Sequence, residues 1–262
     1  MDELHRHNKA RWEALAAANV AYSLPLLNLD LAAARRVLDP HGVMGAVDGK
    51  EVLCLAAGGG QQSAAFALLG ARTTVIDFSE TQLARDRQAL AHYGLEAQLE
   101  QGDMRDLSRF APAAFDIVWH AYSVNFVPDA GEVFDQVKRV LRPGGLYRLQ
   151  WHNPFTTTVE ESGWDGRGYR VIAPYVGGEA TFRSTDWDVE DADGVTRKVE
   201  GPREFNHRLS DVINGLIGRG FVILGLWEDW LGDPTAEPGS WEHFLSFAPQ
   251  LLELWARYEP RS

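Results

Sequence analysis

From Glu51 onward, short apolar runs alternate with amphipathic segments, and this alternation constrains the fold more than any other feature. EVLCLA (51–56), RTTVIDF (72–78), EAQLEQGD (96–103), FDIVWHAYS (115–123) and LYRLQWHN (146–153) read as strands. Between them QSAAFALLG, SETQLARDRQALAHYG and DAGEVFDQVKRVLRPGG read as helices, the second with Ser79 as N-cap and Gln82 at its third position, the last stopped by Pro143 and glycines. Strands alternating with helices at this pitch give a mainly parallel sheet with right-handed crossovers, an α/β doubly wound fold.

Two helices are expected before this region, one from about Glu3 to Ala18 and LDLAAARRVLD, ended by Pro40 and Gly42. The rhythm breaks between Pro154 and Asn206, where ATFRSTDWDVE and GVTRKVE flank Asp193-Gly194, a hairpin signal. HRLSDVINGLIGRG then reads as a helix and FVILGLWED as a strand, whereas PQLLELWARYEP fits either. The expected division is an N-terminal helical lid (1–50), a core (51–153 and 207–262) and an inserted β cap (154–206).

Charge narrows the partners. The net charge is −12, with 25 basic against 37 acidic residues, and the basic ones are scattered, which disfavours nucleic acid. No apolar run approaches a membrane span, and MDELHRHNKARW lacks the apolar stretch of a signal peptide. The single cysteine, Cys54, excludes an internal disulfide framework, and no histidine–carboxylate spacing reads as a metal site. The expectation is a cytoplasmic enzyme, monomeric or homodimeric, with a small-molecule substrate, no nucleic-acid or membrane partner and no metal. Seven of the nine tryptophans follow residue 150, as core packing or as an aromatic substrate pocket.

Two motifs carry chemistry. LAAGGGQQS follows the first strand and opens a helix, so the backbone can approach a ligand where a Cβ would collide. Its contiguous Gly58, Gly59 and Gly60 depart from the G-x-G-x-x-G of dinucleotide sites. Asp77 ends the second strand, where an acid accepts both hydroxyls of an adenosine ribose or, more plainly, caps a turn.

VLCLAAGGG, VIDFSETQL, QGDMRDL, FDIVWHAYSVNFVPD and VLRPGGL, in this order and spacing, resemble the successive motifs of class I S-adenosylmethionine-dependent methyltransferases. HRLSDVINGLIGRGFVI is similar to the later helix and sixth strand of that family's small-molecule branch. The resemblance implies a Rossmann-like, seven-stranded sheet that closes with PQLLELWARYEP as an antiparallel edge strand. It implies S-adenosyl-L-methionine as cofactor, with Ala56, Gly58 and Gly60 around the methionine portion and Asp77 on the ribose. Phe78 would lie beside the ribose acid and Gln82 over the adenine, with Asp103 and Met104 bracketing the base and His120 next to the transferred methyl. Two departures stand out: Cys54 occupies a position usually acidic, and Ala56 replaces a glycine.

Methyl transfer from a sulfonium is an in-line displacement in which alignment supplies much of the rate. A general base is required only if the acceptor keeps its proton at neutral pH. His120, His152 and His207 are the candidates for that base, one of the three being expected to serve. Tyr122, Asn125, His152, Trp164 and Tyr169 are the candidate substrate contacts, and the insertion, which also holds Tyr175, Phe182 and Trp187, reads as a cap or as a scaffold hairpin. HNKARWEALAAANVAY resembles a helix laid over the cofactor, with Asn8, Trp12 and Tyr22 as lid contacts, and fits a simple packing helix equally. The leading function is methyl transfer to a small molecule; RNA modification and non-catalytic cofactor binding are the alternatives.

Overall fold

The computed structural model describes residues 2–180, 186–190, 196–228 and 231–260. Phe182, the Asp193-Gly194 turn and the end of FVILGLWED lie outside the described residues. The helices are α1 (Glu3–Ala17), α2 (Leu31–Leu38), α3 (Gln62–Leu68), α4 (Glu80–Tyr93), α5 (Ala130–Val140), α6 (Leu209–Gly218) and α7 (Trp241–Phe247). The central strands are β1 (Glu51–Leu55), β2 (Arg72–Asp77), β3 (Gln98–Gln101), β4 (Phe115–His120) and β5 (Leu141–His152). The insertion adds β6 (Gly178–Glu179), β7 (Asp186–Glu190), β8 (Thr196–Glu200) and β9 (Phe205–Asn206), before β10 (Phe221–Glu228) and β11 (Leu251–Tyr258).

One seven-stranded sheet runs β10-β11-β5-β4-β1-β2-β3. Strands β3, β2, β1, β4 and β5 are parallel, and β11 pairs antiparallel with both β5 and β10. The ambiguous tail is therefore an antiparallel strand, but it does not lie at the sheet edge as expected: it is inserted between β5 and β10, and β10 forms the edge. Both faces of the sheet are covered, so the strands read as apolar runs whose alternate residues enter different cores. Leu53 and Leu55 of β1 face one core with Phe134 of α5 and Leu216 of α6. Val52 and Cys54 face the other with Leu38 of α2, Phe66 of α3 and Leu83 of α4.

The strand order reverses between β1 and β4, and the carboxyl ends on either side of such a reversal form a crevice. The first turns of α3 and α4 open on that edge. Ser79 caps α4 as its sequence suggested, its side chain accepting from the Gln82 amide. Helix α1 crosses the crevice. Asn8 donates to the carbonyls of Phe126 and Arg203 and accepts from the Arg203 amide, and Arg11 pairs with Glu200 of β8 at 2.6 Å. Helix α1 is thereby tied to the turn after β4 and to the insertion.

Helix α7 was not legible in the sequence. Its Phe244 and Leu245 form a small separate core with Val159 and Tyr169. No helix among the described residues is long and apolar enough to cross a membrane.

Candidate active site

The crevice is a cavity of about 960 Å3, walled by the ends of β1, β2, β4 and β5, by α1, and by the insertion. The sheet side begins at the glycine turn. Gly58 lines the cavity, and a Cβ there would stand 2.7 Å from the Cβ of Gln82 and 3.0 Å from Cγ of Asp77. Ala56, also in the wall, takes φ +44°, the left-handed region that favours glycine. Gly60 is not in the wall; its Cβ would meet the Arg85 carbonyl at 2.6 Å, so its role is close packing of the turn on α4.

Asp77 is buried at the end of β2, accepting from the Ser79 amide through Oδ1 and the Gly58 amide through Oδ2, each at 2.9 Å. Burial raises its pKa to about 6, the two amide bonds pulling the other way and the Glu13 carboxylate of α1 adding to the rise. Gln82 beside it is buried, and its Oε1 has no hydrogen-bond partner. Phe78, Asp103 and Met104 complete this lobe. Asp103 is not an open acceptor: Arg105 Nη2 and His5 Nδ1 each donate to its Oδ2 at 2.7 Å. Arg105 holds the Asp103 carboxyl below the usual range against the opposing effect of burial. His5, from the first turn of α1, was not expected in the site.

A second lobe lies between β4, β5 and the insertion. Trp12, Tyr22 and Trp187 meet edge to face, with ring centroids 5.7–6.2 Å apart, and Phe126 stands 5.3 Å from Trp12. Tyr122 continues this wall and donates to Glu204 at 3.2 Å. The polar end carries Gln150, Gln250 and His152.

The three histidines separate here. His120 is fully buried outside the wall, with Nδ1 2.8 Å from the Tyr147 hydroxyl and Nε2 2.7 Å from Ser123 Oγ. Burial, then the Arg148 charge, lowers its pKa to about 3, so it stays neutral. Its ring does not line the cavity but stands behind Ser123, which does. His207 is also buried outside the wall, its Nε2 3.0 Å from the Val124 carbonyl. His152 lines the cavity; its Nδ1 is 3.0 Å from the Asn153 carbonyl, which can only accept, so Nδ1 carries the proton and Nε2 the lone pair.

Three substrate candidates sit elsewhere. Asn125 braces the site from behind, donating to the Phe205 carbonyl at 3.0 Å and accepting from the His152 amide at 2.9 Å. Trp164 and Tyr169 pack on His243 and Phe247 of α7, with Tyr169 Oη 2.7 Å from His243 Nδ1. Tyr175 is half exposed, accepting from the Leu209 amide. The insertion thus reaches the cavity through Glu161, Ala180, Asp186, Trp187, Pro202 and Glu204 rather than through its first aromatic residues. Among the described residues no group of three or more His, Cys, Asp or Glu side chains is arranged to hold a metal ion.

Comparison with known proteins fits this geometry. Residues 53–149 match a methyltransferase domain family. The chain is 35% identical over 189 residues to an uncharacterized methyltransferase, YbaJ, of Bacillus subtilis, covering 70% of each chain. The chain belongs to the class I S-adenosylmethionine-dependent methyltransferases. It is an enzyme of that family, and S-adenosylmethionine is its cofactor. Over 97 residues it is also 36% identical to a ubiquinone biosynthesis O-methyltransferase of Azotobacter vinelandii, spanning 42% of that protein's length. Among solved structures, an S-adenosylmethionine-dependent methyltransferase from Mesorhizobium loti superposes with a TM-score of 0.66 at 24% identity, over 87% of this methyltransferase and 100% of that chain. A Burkholderia thailandensis 1,6-didemethyltoxoflavin-N1-methyltransferase gives 0.58 at 14% identity, over 99% and 92%. These two likenesses are of fold.

Proposed function

We propose that this methyltransferase methylates a small, partly aromatic acceptor at a group that holds its proton at neutral pH, with His152 as general base. The observation that carries the reading is the cavity-lining imidazole whose Nδ1–H is tied to a backbone carbonyl, so that Nε2 is the basic nitrogen. A neutral imidazole within reach of the acceptor is the commonest side chain for proton removal in a transition state.

The cofactor, when bound, supplies an electrophilic methyl group on a sulfonium. This chain's residues bind and orient it. Gly58 leaves room where a Cβ would press on Gln82 and Asp77. The Asp77 carboxylate accepts the ribose hydroxyls, and the unpartnered Gln82 Oε1 is a further acceptor on the same wall. Phe78 and Met104 flank the adenine. Asp103 takes part once His5 cedes its oxygen. The acceptor's ring lies against Trp12, Tyr22, Phe126 and Trp187, which also exclude water, and its polar group faces His152, Gln150 and Tyr122. His152 Nε2 would take the acceptor's proton, and the methyl would pass from the bound cofactor, its carbon–sulfur bond breaking to a thioether as the acceptor–carbon bond forms; alignment and water exclusion would supply most of the rate.

In this reading residues 1–50 act as the lid and 154–206 as the cap, contributing Trp12 and Tyr22 from one and Trp187 from the other. The ubiquinone biosynthesis O-methyltransferase relative is compatible with transfer to oxygen on a small molecule. The test is transfer of labelled methyl into a metabolite extract and into total RNA. Incorporation into small aromatic metabolites supports the proposal, and robust incorporation into RNA refutes it.

A further inference from the structure

The glycine turn is gripped from behind by an acid with no part in the sequence motifs. Asp86, in the second turn of α4, is completely buried. Its Oδ2 accepts from the Gly59 amide at 3.1 Å, and its Oδ1 accepts from the Gly60 amide at 3.0 Å and the Ser63 hydroxyl at 2.5 Å. The preceding amide, Gly58, goes to Asp77. Three consecutive N–H groups of the turn are therefore each aimed at a carboxylate of the protein.

Gly59 and Gly60 need that grip, because they take φ +127° and +80°, open to many alternatives in glycine. A neutral side chain at residue 86 would satisfy amides with less desolvation. Instead the fold buries a second acid near the Asp77 carboxylate. The groups acting on Asp86 are Ser63 of α3, the two glycine amides and Asp77 of β2, with the buried Cys54 of β1 within its field. Burial, with Asp77 adding to it, raises the Asp86 pKa to about 7. A positively charged ligand against the turn relieves this arrangement, and S-adenosylmethionine carries a net positive charge through its sulfonium and ammonium groups.

We propose that Asp86 is the positioning residue of the cofactor site, fixing Gly59 and Gly60 and supplying the negative charge behind the turn that Cys54 does not. This rests on the reading that the cofactor lies against Gly58 and Asp77. Asp86 acts through the glycines and does not line the cavity.

The test is calorimetric titration of the purified protein with S-adenosylmethionine, alongside melting temperatures. Absence of binding by the wild type refutes the cofactor-site reading itself. Given wild-type binding, Asp86→Asn is expected to weaken it about tenfold or more, as loss of a hydrogen bond to a charged group does. Cys54→Asp placed in the Asp86→Asn background restores a carboxylate on the neighbouring strand and is expected to return most of that affinity, which a merely structural role for Asp86 would not produce. A folded Asp86→Asn that binds within about twofold of wild type, or whose loss Cys54→Asp leaves unrepaired, overturns the proposal. If Asp86→Asn does not fold, Ser63→Ala decides: it removes one donor to the carboxylate and leaves the glycines. An affinity lowered about threefold at unchanged melting temperature supports the proposal, and wild-type affinity overturns it.

Discussion

Asp77 offers the sharpest test of how cofactor is held, because its charge is poised within an accessible pH range. Burial brings its pKa to about 6, so it is ionised at pH 8 and largely protonated at pH 5. If the ionised form accepts the ribose hydroxyls, binding follows the ionised fraction, which at pH 5 is about one in eleven. Wild-type affinity for S-adenosylhomocysteine should therefore fall about tenfold from pH 8 to pH 5 on account of this group. Asp77→Asn keeps the shape but loses charge, and one of its polar atoms becomes a donor facing the Gly58 or Ser79 amide. At pH 8 the variant should bind about 10- to 150-fold more weakly, one hydrogen bond to a charged group being worth about 1.5–3 kcal/mol. Its disadvantage should shrink about tenfold by pH 5, where the wild type has itself lost the charge. Asp86 titrates in both proteins, so the ratio of variant to wild type is the quantity to read, by calorimetry across pH 5–8. A ratio near one, or one constant with pH, would refute the role of the Asp77 charge. The same raised pKa fixes the sign for the unliganded fold. Ionisation of Asp77 costs stability as pH rises from about 4 through 6, so Asp77→Asn should gain on wild type over that interval in melting experiments.

Three further outcomes follow from the geometry. His152→Gln should lower turnover on the true acceptor by about 10²–10⁴ with cofactor affinity unchanged, while His207→Gln, outside the wall, leaves turnover near wild type; a turnover assay showing the reverse order would reject His152 as base. His120 has its pKa depressed to about 3 by burial, so its stability contribution is present above the unfolded value near 6.5 and is lost as pH falls toward 3. His120→Gln should then flatten acid destabilisation between pH 6.5 and 3 in denaturant titrations, and an unchanged slope would count against the buried neutral ring. Trp187→Ala should raise the acceptor's KM with little change in cofactor affinity, since it opens the aromatic wall away from Gly58 and Asp77; equal loss of both in steady-state kinetics would mean that the two lobes are one site.

The sequence alone determined the parallel core. Apolar runs with period-two burial on both faces, broken by glycine and capped helices, leave little choice but a doubly wound sheet, and Asp77, Gly58 and Met104 lie in the cavity because strand ends are where such a sheet opens. It also placed β7 and β8 as a strand pair, because alternation on either side of a turn signal is local. It did not locate α7, whose short run becomes helical through packing on Tyr169 and Val159. Only the tertiary structure separated the three histidines, since a chain position at a strand end does not say toward which side the ring turns. His120 turns toward Tyr147 and Ser123, and His152 lines the cavity. Nor did local pattern reveal His5 on Asp103 or Asp86 on the glycine amides, contacts between residues 98, 27 and 26 positions apart. Periodicity reports which face of an element is buried; which polar group meets which across the fold is set by the packing of distant elements, and in this enzyme the electrostatics of the cofactor site is of that kind.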